Sequence, residues 1–123
     1  MQIREIITWL SDCPVFAGEA LLPNFLPSRK GWSLTVDKQS VRTDILGSRS
    51  TVQRLKVTRR TAVPDSAARL AVFEQMEDLA AWAKENPPPT GAVRITGLPE
   101  FSSRASSGTE DFSVTFNLVS DES

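Results

Sequence analysis

The run DSAARLAVFEQMEDLAAWAKENPPP, residues 65–89, holds one amphipathic helix between two sharp boundaries. Val72, Phe73, Met76, Leu79, Ala80 and Ala83 recur at the three- and four-residue spacing that gathers side chains on one side of an α-helix. Glu74, Glu77, Asp78, Lys84 and Glu85 take the opposite side, with Trp82 on the flank. Asp65, after Pro64, is placed to cap the first turn by accepting an orphaned backbone N–H. Asn86 and Pro87–Pro89 stop the helix and lead out through a stiff extended segment. The spacing therefore predicts a helix over about 66–85, which with one apolar face needs one apolar surface to lie on.

The segments on either side supply strands for that surface. Upstream, Trp32, Leu34 and Val36 alternate with polar residues, and Val41, Thr43 and Ile45 do so in a second run. Gly47-Ser48 marks a turn, and residues 50–62 form a third run with Leu55 and Val57 inward. Downstream, Val93 and Ile95 begin a fourth that ends near Gly97-Leu98-Pro99. Phe112, Val114, Phe116 and Leu118 make a last one and must share a face. Short links favour antiparallel pairing, since a parallel return needs a crossover of a dozen residues or more. The polar stretch 102–111 has the composition of a mobile hairpin loop, and SDES that of a frayed acidic tail.

At the N-terminal end, Ile3, Ile6, Ile7 and Leu10 predict a short helix over 2–12 that stops before Pro14. Residues 14–31, with three prolines and two glycines, are expected to be an irregular connection tacked down by Val15, Phe16, Leu21, Leu22, Phe25 and Leu26. The expected architecture is one α+β domain over residues 1–123. It has a mainly antiparallel twisted sheet of about five strands covered by the long helix.

Composition narrows the chemistry. The chain has 123 residues, 40% of them hydrophobic and 24% charged, the proportions of an ordinary globular domain. It has no histidine and no tyrosine, so the commonest general base and nucleophile activator is missing. One cysteine, Cys13, allows no internal disulfide, and beside Pro14 it is expected to be a buried apolar group. Glycine spacing matches no phosphate-binding loop. No catalytic, cofactor or metal residue is assigned, although a carboxylate-only site stays open. The first residues lack the pattern of a signal peptide, and no apolar run is long enough to span a bilayer, so synthesis in a cytoplasm is expected.

Charge is unevenly spread. Residues 29–69 carry ten basic and three acidic side chains, a net of +7, whereas residues 70–123 carry a net of −6 and residues 1–28 a net of −2. The basic part centres on Arg49, Arg54, Lys56, Arg59 and Arg60, of which Arg54, Lys56 and Arg60 share a parity and project from one strand face. Opposite charge on one small domain suits a head-to-tail contact between copies, and such contacts close into rings. The candidate interface is Arg49, Arg54, Lys56 and Arg60 on one side. On the other stand Glu77 and Asp78, flanked by Glu74 and Glu85, with Glu110-Asp111 as a second acidic candidate. The alternative is a nucleic-acid-associated module using the basic 49–60 strand. A sequence pI near 5.4 and aromatics at core positions weigh against it.

Taken in order, the pieces WLSDCP (9–14), NFLP (24–27), GWSLT (31–35), ILGSRSTVQRLKVTRR (45–60), QMEDLAAWAKEN (75–86), VRITGLP (93–99) and DFSVTFNLV (111–119) resemble the small minor capsid or tail-terminator-like proteins of long-tailed phages and prophages of Gram-positive bacteria. The resemblance implies a virion structural protein without enzymatic activity or cofactor. It would form a ring, typically of six copies, at the head-proximal end of the tail, between the tail-tube and head-completion proteins. It also implies residence in the tail or neck of the virion and in the host cytoplasm during assembly. It assigns no site residue.

Overall fold

The computed structural model describes residues 2–24, 30–43, 45–47, 49–63, 65–88, 91–95, 100–106 and 109–122, with backbone alone at 37–38, 94–95, 100–106 and 121–122. Helix α1 (Ile3–Leu10) buries Ile6 and Leu10, and its last turn is closed by the Ser11 N–H donating to the Ile7 carbonyl at 2.9 Å. A 3-10 turn at Pro14–Phe16 follows, where Ala17 and Gly18 both take positive φ and reverse the chain. Strand β1 (Leu21–Pro23) then pairs with β2 (Gly31–Thr43) in parallel, Leu21 opposite Trp32. Strand β2 pairs antiparallel with β3 (Arg49–Ala62) across a turn in which Gly47 has φ +84°.

Helix α2 (Ser66–Glu85) starts where the sequence places it, the Asp65 Oδ1 accepting from the Ala68 N–H at 2.8 Å. Strands β4 (Gly91–Ile95) and β5 (Glu100–Ser106) share one edge of β6 (Thr109–Glu122). β4 runs along residues 116–120 and β5 along residues 109–113, while β3 takes the other edge along its whole length. The order is β1-β2-β3-β6-β4, with β5 beside β6: a mixed six-stranded sheet in which β1–β2 is the parallel pair. Strands β3 and β4 both run antiparallel to β6, hence parallel to each other, and α2 is the crossover that such a pair requires.

The core lies between this sheet and the helices. Phe112, Val114, Phe116 and Leu118 do share one face, each at most 1% exposed. In register beside them stand Leu55 and Val57 of β3 and Leu34 of β2, all buried. Val72, Met76, Leu79, Ala80 and Ala83 of α2 close over them, with Ile6, Leu10 and Phe16 in the same cluster. Phe73 stands half-buried at the edge of the cluster, edge-on to Phe112 at 5.2 Å between ring centroids.

Several expectations need correction. The two short strands expected at 32–36 and 41–45 are one strand: an irregularity between Val36 and Lys38 absorbs an extra residue, because β3 offers an unbroken ladder. After it the parity reverses, and Ile45 stands in the turn, fully exposed. The connection over 14–31 contains β1, and residues 102–111 form most of β5 and the start of β6. Ser120–Glu122 continue β6 opposite Thr51–Arg49. Pro64, Pro89, Phe25, Leu26, Ser48, Gly97-Leu98-Pro99 and Ser123 lie outside the described residues.

Gly91 begins β4 where a Cβ would come within 2.8 Å of the Val119 carbonyl oxygen and 3.2 Å of the Leu118 Cδ1. The nearer atom is backbone and cannot swing aside. Gly91→Ala should therefore cost about 1–3 kcal/mol, as overpacking does, read as a lower urea midpoint at unchanged slope. A midpoint equal to that of the unsubstituted protein would show that β4 shifts freely.

Candidate assembly surface

Strand alternation gives the sheet two chemically different faces. The helices cover the face formed by Leu55, Val57 and Phe116. The other face presents Ser50, Val52, Arg54, Lys56, Thr58 and Arg60 from β3, with Thr35, Ser40 and Arg42 from β2 and Thr115, Asn117 and Val119 from β6 in register. Because parity reverses after Val36, Ser40 and Arg42 share the face of Arg54, and Gln39 turns to the face of Gln53, whose Nε2 donates to its Oε1 at 3.3 Å. Ser40, Arg42, Val52, Arg54 and Asn117 line a shallow hollow of about 180 Å³ on this open face.

The sequence-assigned residues separate into four groups. Arg54 and Lys56 stand on the open face, Arg54 exposed and Lys56 half-buried. Arg49 is exposed at the hairpin end of β3. Glu74, Glu77, Asp78 and Glu85 are exposed on the solvent side of α2, across the sheet from Arg54. The two halves of the proposed interface are thus not brought together within one chain.

Arg60 and the Glu110-Asp111 pair are elsewhere engaged. The Arg60 guanidinium grips Asp111 through two bonds, Nε to Oδ1 at 2.7 Å and Nη2 to Oδ2 at 2.9 Å, with 8% of the Asp111 side chain exposed. On the opposite face Arg69, in the first turn of α2, donates from Nη2 to Glu110 Oε1 at 2.8 Å and pins the helix start to β6. These bonds raise the pKa of both arginines and keep them charged. Glu110 and Asp111 are therefore internal anchors within β6, not an accessible loop end.

One member of the basic group, Arg59, points away from Arg54, Lys56 and Arg60 on the open face. Arg59 is in register with Trp32 and Phe112 and so points to the helix side. Its guanidinium lies 4.7 Å above the Trp32 ring and donates from Nη1 to Gln75 Oε1 at 2.6 Å. Its Nε is buried with no hydrogen-bond partner among the described residues. Burial lowers its pKa, against the pull of the Glu19 carboxylate. Glu19 in turn accepts from Trp32 Nε1 at 3.0 Å and faces Lys30 Nζ at 3.4 Å. This cluster ties the turn before β1 to β2, β3 and α2.

Partial burial pushes the Glu19 pKa up, but the Trp32 N–H bond and Lys30 outweigh it and hold the carboxyl below its ordinary range. A folded-state pKa below the unfolded one, about 4.3, adds stability above that value and withdraws it as pH falls through the folded pKa. Glu19→Gln should therefore lower stability at neutral pH and flatten its decline below about pH 4.5. Urea midpoints across pH 3–7 that run parallel in the two proteins would contradict this.

Among the described residues, large apolar side chains are exposed at two places. Ile45 and Leu46 stand in the turn of the β2–β3 hairpin, with Val41 in β2 two rungs from its end, and Leu70 lies on the solvent side of α2. Cys13 is buried, and burial raises its thiol pKa. Among the described residues no group of three or more Cys, Asp and Glu is arranged to hold a metal ion, and no helix is long and apolar enough to cross a membrane. Comparison with protein families finds no family model that matches the chain, and comparison with curated proteins finds none that matches it.

Proposed function

We propose that this chain is a non-enzymatic phage structural protein, a tail terminator or neck (minor capsid) subunit that assembles with its copies into a ring at the head-proximal end of the tail. The observation that carries this reading is the division of charge: an open sheet face with Arg42, Arg54 and Lys56, and an outward helix face with Glu74, Glu77 and Asp78. Such a subunit can meet its neighbour by opposite faces. The chain-wide resemblance supports the same reading, which takes the largely antiparallel sheet under the long helix as the terminator-like arrangement.

Light scattering coupled to size exclusion, with and without tail-tube protein, tests it across concentration and salt. The expected result is a closed oligomer, formed alone or on the tube, that weakens as salt rises, because exposed charges are screened beyond about 10 Å at 0.1 M. A strict monomer even with tube protein would overturn the reading. Arg42→Glu with Lys56→Glu should reproduce the high-salt behaviour at low salt while the urea midpoint stays in place.

The hollow between Arg42 and Arg54 favours one competing reading, a nucleic acid on the open face. No aromatic ring among the described residues stands on that face for bases to stack on. Titration with single- and double-stranded DNA at low salt should show no binding. Affinity that falls steeply with salt would favour the nucleic-acid reading instead.

A further inference from the structure

We propose that the apolar tip of the β2–β3 hairpin seats on the Leu70 end of α2 in a second copy of this chain, a contact that rests on the ring-subunit reading and names its two surfaces. Ile45 and Leu46 are almost entirely exposed and Leu70 is more than half exposed, so both patches keep apolar surface in water that one contact would remove. Within one chain the two cannot meet. The tip precedes β3, a strand roughly 40 Å long, and α2 begins only after the far end of β3, with Leu70 in its second turn.

Charges of opposite sign stand beside the two patches. Arg42 and Arg49, both exposed, flank the tip, each three residues along the chain from Ile45 or Leu46. Glu77, exposed on the stripe of Leu70, follows it at about 10 Å along the helix. The apolar tip on Leu70 would set the arginines over Glu77 and Asp78. Patches at opposite ends of one molecule make a heterologous contact, which repeats from copy to copy and closes a ring when the rotation allows.

Cysteine pairing between copies tests this directly, with Leu46→Cys and Leu70→Cys made as separate single variants; both sites are exposed, and Cys13 is buried. Mixed and mildly oxidised, the two should form the 46–70 disulfide about ten-fold or more above the 46–46 and 70–70 products, since a specific contact raises effective concentration. Ile45→Ser with Leu46→Ser should weaken self-association of the full chain by about ten-fold or more while leaving its thermal midpoint in place. If the unsubstituted protein assembles while the three disulfides form in statistical proportion, this contact is wrong and the ring reading stands. If the disulfides form in statistical proportion and the unsubstituted protein stays monomeric even with tube protein present, both fall. Loss of binding to phosphatidylglycerol–phosphatidylcholine vesicles in the serine variant, with sedimentation unchanged, would make the tip a lipid contact and overturn the proposal.

Discussion

Met76→Asp should leave the chain unfolded in buffer at ambient temperature. Met76 is fully buried on the inner face of α2, in the cluster that holds Leu79, Leu55, Phe116 and Leu118. An unpaired carboxylate there costs several kcal/mol, against a total stability of about 5–15 kcal/mol for a domain of this kind. Far-UV circular dichroism should show loss of both helix and sheet. Met76→Leu, close in volume, should keep the fold at a cost below about 1.5 kcal/mol. A Met76→Asp protein with the original unfolding midpoint would mean that α2 does not lie on the sheet through this residue.

Charge reversal at Arg60 should have an effect of similar size, and of a different kind from reversal at Arg54. Arg60→Glu sets a second carboxylate beside Asp111, which is nearly buried and loses both bonds from the guanidinium. The expected loss is about 3 kcal/mol or more, the scale for stranding a buried charge. Asp111→Asn in the same chain should restore part of it. Arg54→Glu, on an exposed side chain, should cost clearly less than Arg60→Glu, because solvent screens charge at exposed sites. A urea midpoint for Arg60→Glu equal to that of the unsubstituted protein would show that the Arg60–Asp111 pair adds nothing to the fold.

Those two arginines also mark how far the sequence reaches. Parity alone put Arg54, Lys56 and Arg60 on one face, and they are there. It could not show that Arg60 finds Asp111, 51 residues away, because the pair depends on the β3–β6 register. Helix α2 was legible to its ends because its cap, apolar stripe and proline stop are local signals. So was the common face of Phe112, Val114, Phe116 and Leu118, which follows from alternation. Strand β1 was not, being three residues long and ending in Pro23. Nor was β5: its Ser-rich sequence has no strand preference and takes its form from the free edge of β6. The inward turn of Arg59 was available, since it shares the parity of Leu55 and Val57. Its partners Trp32, Gln75 and Glu19 come from three other segments and were not.

The last strand in the sequence is an inner strand of the sheet, and this bears on how the protein is made. β6 joins β3 on one side to β4 and β5 on the other, and it brings Phe112, Val114, Phe116 and Leu118 to the core. A nascent chain that has emerged only as far as β5 holds the β2–β3 hairpin and α2, but β3, β4 and β5 have no strand to pair with on that side. Its open backbone edge can recruit other chains. Folding must therefore wait for residues 109–122 to leave the ribosome and close in one late step, whose contacts span most of the sequence. A stalled or truncated product that stops before β6 should be a substrate for chaperones and proteases, not a folded fragment.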